Sequence, residues 1–175
     1  MARIPYARLD AAAVVPLAQR IAAERGSVLH LYQMLLHSPP VAQGWLGYLT
    51  AIRQQASLPG ALRELVIMRV ALLNGAPYEA EQHAPIARTE GVSQAKLDAL
   101  ERWDGCGLFD ATERAVLAYT DAMTRHVHVD DAVFAEVARH FAPPLLVELT
   151  ATIAAYNMVS RFLEALQIHS DDPRD

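Results

Sequence analysis

LRELVIMRVALLNGAPYEAEQHAPIARTEG, residues 62–91, decides how the chain folds. Its first half is apolar at Leu62, Leu65, Val66, Met68, Val70, Leu72 and Leu73, nearly all round a helical wheel, and therefore reads as a central, buried helix. Asn74-Gly75 ends it, and a second helix carries Tyr78, Glu79 and His83. Glu79 and His83 are four apart and share one face of that helix. Glu64, on the preceding helix, is a carboxylate in apolar surroundings, where it needs a partner or a proton. Arg63, Arg69 and, across the helix pair, His83 are the candidates. Two carboxylates and an imidazole from neighbouring helices can move protons. They are a poorer metal site, because neither His-Glu-x-x-His nor a nearby Glu-x-x-His is present.

Outward from this stretch the periodicity stays helical and strand-like alternation is absent. Asp10 is a cap candidate for a helix running through Glu24, which Pro16 bends or splits and Gly26 stops. Leu29 to Leu36 reads as a short helix ending at Ser38-Pro39-Pro40, and Val41 to Gln55 as the next. Pro59 falls in the first turn of the Glu64 helix. The His83 helix, with Pro85 inside it, runs to Glu90 and stops at Gly91. Ser93 caps a helix to about Trp103. Asp110 and Glu113 have capping-box spacing and open a helix to about His126. Asp130 or Asp131 opens another to Phe141, and Pro143-Pro144 open a long one to about Leu166. The polar tail after His169 is expected to fray. The organisation is all-α in a single domain over residues 1–175: an N-terminal helical extension (1–50), a core (51–125) and C-terminal helices (126–175).

Composition narrows the function. The chain has 175 residues, 53% of them hydrophobic, and a formal net charge of −5, which disfavours nucleic acid and anionic membranes as partners. No apolar run reaches the ~20 residues that span a bilayer, and residues 1–10 lack the apolar region of a secretory signal, so a cytoplasmic location is expected. The lone Cys106 excludes an internal disulfide and reads as an inert loop thiol. His126 and His128 read as loop histidines, and no phosphate loop or nucleophile elbow occurs. No metal or cofactor is expected.

The RELV run (Arg63 to Val66), the VALLNG run (Val70 to Gly75), Tyr78-Glu79 and His83-Ala84-Pro85-Ile86-Ala87 resemble the carboxymuconolactone decarboxylase family, whose fold is shared with alkylhydroperoxidase D. The resemblance is specific from about Leu58 to Leu100. It implies an alkylhydroperoxidase D-like helical bundle and a homo-oligomer, whether dimer, trimer or hexamer. In the redox branch of the family a Cys-x-x-Cys pair stands where this chain has Ala76 and Glu79. The family's His and Glu fall on His83 and Glu64, and Tyr78 lies between the cysteine positions. With both thiols replaced, the implied activity is a cofactor-free decarboxylase or related lyase on a small carboxylated lactone or similar acid. His83 donates the proton, Glu79 orients it, Glu64 relays a proton or positions substrate, and Tyr78 or an arginine holds an oxygen. Two carboxylates beside an anionic substrate then require a raised pKa on Glu64 or Glu79. The alternatives are peroxide reduction through Cys106 and a non-catalytic oligomeric ligand binder whose trio is a structural ion network. In the last helix Tyr156, Asn157 and Arg161 share a face, and Asn157 needs partners for its amide.

Overall fold

A computed structural model describes residues 1–173, which are all-α, with no strand among them. The chain forms two compact units, residues 1–55 with the chain from Leu163 onward, and Ala56–Phe162.

In the first unit α1 (Val15–Arg25), α2 (His30–Leu35) and α3 (Pro39–Thr50) follow one another. Pro16 sits in the opening turn of α1, where its missing N–H would have had no helical partner, so it starts the helix instead of bending it. Asp10 lies outside that helix and pairs with Arg8 at 2.7 Å. Gly26, at φ 82°, closes α1 in the left-handed conformation that glycine adopts without strain. The segment read as Val41 to Gln55 begins earlier, at Pro39, and its last five residues, Ala51–Gln55, widen into a π-helical turn. The tail does not fray at Asp172. Its buried carboxylate accepts hydrogen bonds from Tyr6 Oη (2.8 Å) and the His169 amide (3.1 Å), and the Met1 ammonium lies 3.4 Å away.

The second unit is built on α4 (Gly60–Asn74), which packs against α5 (Pro77–Thr89) and α7 (Ala111–His126). Pro59 stands one residue before α4, at its cap position. Leu65, Val66, Ile67, Val70 and Ala71 are buried, and so are three charged neighbours, Arg63, Glu64 and Arg69. Arg69 grips both oxygens of Asp121 on α7, each at 2.6 Å, and donates to the Leu100 carbonyl at 2.7 Å. Gly75, at φ 61°, turns the chain into α5. Helix α5 continues through Pro85 to Thr89.

Ser93 caps α6 (Gln94–Ala99) by accepting from the Lys96 amide, and a 3₁₀ segment, Leu100–Gly105, completes the stretch read as one helix. Asp110 and Glu113 form the full reciprocal capping box of α7. Val127 follows at φ 63° and ψ −48°, with the His128 amide 2.6 Å from the His126 carbonyl, which makes it the centre of a γ-turn. Helix α8 (Asp131–Ala138) stops short of Phe141, and α9 (Pro143–Leu166) starts at the proline pair. One apolar cluster joins Leu65, Ala87, Val92, Leu100, Phe109 and Leu117. Cys106 is partly buried against it. No helix among the described residues is long and apolar enough to cross a membrane.

Candidate functional site

Glu64 is the fifth residue of α4, on the side that meets α5, and is fully buried. Leu65, Val66 and Ile67 after it, at about 100° per residue, are buried on different sides of α4, so the helix is enclosed where Glu64 sits. Its two oxygens have separate partners. Oε2 lies 2.7 Å from Nδ1 of His83, and Oε1 accepts from Nε of Arg63 at 3.1 Å. Burial pushes the Glu64 carboxyl upward, but the hydrogen bond and charge of His83, together with those of Arg63, outweigh it. The net pKa is lowered, and Glu64 is a carboxylate at neutral pH. The raised value that two adjacent carboxylates demanded does not arise at Glu64, because a guanidinium and an imidazole stand against it. Arg69, the other candidate partner, is committed to Asp121.

With Glu64 ionised, Nδ1 of His83 is the donor, so the carboxylate fixes both ring orientation and tautomer. The ring meets Tyr156 of α9 edge-on, with centroids 5.1 Å apart and planes 89° apart. His83 is 7% exposed. The orienting contact at Nδ1 thus comes from the neighbouring helix. Glu79, one turn away on α5, accepts from Ser160 Oγ on α9 at 2.8 Å. Tyr78 and Glu79 are both buried beside His83 on α5, and Ala76, the other position at which the redox branch has a cysteine, caps that helix.

The structure therefore brings Glu64 and His83 together across the α4–α5 pair, with Tyr78 and Glu79 buried on α5, and links to them three residues the sequence reading gave no place at the site. Ser160 is a small hydroxyl on α9, four residues after Tyr156, whose carbonyl it also bonds. Tyr156 is marked in the sequence only as a face-mate of Asn157. Glu90, just past α5, accepts from Arg63 at 2.9 Å. Asn157 is structural: its amide donates to Thr124 Oγ1 and the Ile153 carbonyl, and its oxygen accepts from Asn74 and Arg161. Among the described residues no group of three or more His, Cys, Asp or Glu side chains is placed to hold a metal ion.

The lowered pKa of Glu64 has a sign that can be measured. A carboxylate depressed in the folded state binds fewer protons than in the unfolded chain, so it stabilises the fold above its unfolded value of about 4.5, and that stability is lost as pH falls through the lower folded value. Urea unfolding of the parent between about pH 6 and about pH 4 is expected to show stability falling with pH, and Glu64→Gln to flatten the slope. Equal slopes would mean that Glu64 titrates alike in both states.

The carboxymuconolactone decarboxylase family model matches residues 39–122, which include α4 and α5 with Glu64, Tyr78, Glu79, His83 and Glu90, while Tyr156 and Ser160 lie beyond it. The uncharacterized protein YnjA of Escherichia coli is 32% identical over 126 residues, covering 71% of this chain and 66% of that protein. Two solved structures are similar in fold. The alkylhydroperoxidase AhpD core of a peroxidase-related protein from Ralstonia eutropha has a TM-score of 0.83 at 19% identity, covering 98% of this chain and 93% of that one. The debrominase Bmp8, solved with 2,3,4-tribromopyrrole, has a TM-score of 0.81 at 22% identity, covering 98% and 94%.

Proposed function

The chain belongs to the carboxymuconolactone decarboxylase family, and from that premise we propose that it is a cofactor-free carboxy-lyase acting on a small carboxylated lactone or a related acid with a conjugated carbonyl. The observation that carries the reading is the 2.7 Å contact between His83 Nδ1 and the ionised Glu64. An imidazole bonded to a carboxylate at one nitrogen holds a proton well and can deliver one from the other, near neutral pH.

In the proposed reaction the bond between the substrate's carbon and its carboxylate breaks and carbon dioxide leaves. The electron pair moves into the conjugated carbonyl, giving an enolate. Proton donors beside the enolate oxygen stabilise it, a role that suits the buried Tyr78. The carbon then takes a proton from Nε2 of His83, and solvent returns one to the ring. Glu64 keeps the imidazolium stable until transfer, and Arg63 offsets the charge that Glu64 would otherwise turn against an anionic substrate. Glu79, held by Ser160, lies where the redox branch has a thiol, so the site offers a carboxylate in place of disulfide chemistry. The reading includes a homo-oligomer, which the exposed Leu72, Phe134 and Val147 would suit.

The test is a panel of carboxylated lactones and β-keto or vinylogous acids, with carbon dioxide release followed in deuterated water. Release accompanied by one deuterium on the product carbon is expected for at least one of them. Release from none would reject the lyase reading and favour a ligand-binding role for the same fold.

A further inference from the structure

Arg63 faces two carboxylates. Its Nε donates to Glu64 at 3.1 Å and its terminal nitrogen to Glu90 at 2.9 Å, while its own side chain is only 10% exposed. Glu90 lies outside the buried trio, 39% exposed, at the end of α5. It reaches Arg63 across the first turn of α4, and Gly60 lets it do so. A Cβ at Gly60 would stand 1.8 Å from Glu90 Oε2 and 2.4 Å from the carboxyl carbon. Nothing about the backbone explains that glycine, because Gly60 is absent from the positive-φ residues. The space it leaves is the space the Glu90 carboxylate fills.

We propose that Glu90 is a remote positioning residue of the His83 site, acting through Arg63 and Glu64, and that Gly60 is small to admit it. The chain of contacts runs from Glu90 to Arg63, from Arg63 to Glu64, and from Glu64 to His83, entirely within α4, α5 and the residue that follows α5. Its effect follows from charge sharing. Glu90 draws part of the guanidinium charge to itself, which leaves more of Glu64's charge for the imidazole. Without Glu90, Arg63 competes harder for Glu64 and the imidazolium is held less firmly. Tyr156, on α9, meets the ring edge-on, and Tyr78 and Glu79 are buried on the same helix as His83. Ser160 holds Glu79 from α9. This role concerns the same His83 on which the lyase reading rests, but its test needs no substrate.

The full chain, labelled with ¹⁵N-histidine, is titrated by NMR, with the His83 ring signals assigned through His83→Gln. Glu90→Gln and Gly60→Ala are compared with the parent and with Asp98→Asn, an exposed carboxylate on α6 that bonds Gln94. Both Glu90→Gln and Gly60→Ala are expected to lower the His83 midpoint, by about half a pH unit, while Asp98→Asn leaves it in place. Gly60→Ala is expected to lower the midpoint while the chain stays folded, and a merely structural ion pair would not move the titration of an imidazole that neither substitution touches. An unmoved midpoint in Glu90→Gln overturns the positioning role. A shift in Glu90→Gln without one in Gly60→Ala overturns the role of the glycine. If the substrate panel releases no carbon dioxide and the His83 midpoint still moves, the positioning role stands and only the lyase reading falls.

Discussion

Replacing His83 with alanine is expected to cut kcat/KM for the proposed lyase reaction by about 10²–10⁴-fold, the range over which a positioned general acid contributes. The loss should fall mainly on kcat, since the proton moves after the substrate is bound. The variant should still fold. Glu64 keeps its bond to Arg63, so its charge is not abandoned, although the lost hydrogen bond costs about 1–3 kcal/mol. Glu64→Gln should give a smaller loss of turnover, because the amide oxygen can still accept from Nδ1 while its charge no longer stabilises the imidazolium. If the trio is only an ion network, both variants will lower the melting temperature and leave turnover alone. Full activity in His83→Ala would sink the assignment.

The largest effect on stability is expected at Arg69. Arg69→Met removes both bonds to Asp121 and the donor to the Leu100 carbonyl, at a side chain only 4% exposed. Stripping one partner from a buried pair costs about 3–5 kcal/mol. The lower end applies, because Asp121 is 21% exposed and keeps Arg125 and the Trp103 indole nearby. For a chain of this size about 3 kcal/mol lowers Tm by roughly 6–12 °C. Adding Asp121→Leu should recover much of the loss, since a neutral pair no longer buries an uncompensated charge. A drop of less than about 2 °C for the single variant would mean that solvent takes over Arg69's work. His83 is expected to titrate as in the parent, since Arg69 has no bond to the Glu64 network.

Features governed by neighbours in sequence were legible. Ser93, Asp110 with Glu113, and Gly75 act through backbone atoms within four residues, and each sits where the sequence reading put it. Pro16 was ambiguous because a proline in an apolar stretch either opens a helix or kinks it, and sequence does not say where the chain first becomes helical. The site divides in the same way. That Glu64 and His83 meet could be anticipated from a buried carboxylate on one helix and an imidazole on the next. Which carboxylate holds the ring could not. Glu79 has the better local spacing, but the packing of α4 on α5 gave Nδ1 to Glu64. Ser160 and Glu90 act across 81 and 27 residues, on Glu79 and Arg63, where no local pattern reaches. Asp172 shows the limit of polarity as a guide, for a tail rich in aspartate is pinned through one of them.

The γ-turn at Val127 marks the place where the protein has most to gain from engineering. A β-branched residue at positive φ stores about 1–3 kcal/mol of backbone strain, and Val127 is 83% exposed, so almost no packing repays it. Val127→Gly should therefore raise the unfolding temperature by a few degrees and leave the Glu64–His83 pair as it is. For a laboratory that wanted a hardier catalyst, the first substitution to make touches none of the chemistry.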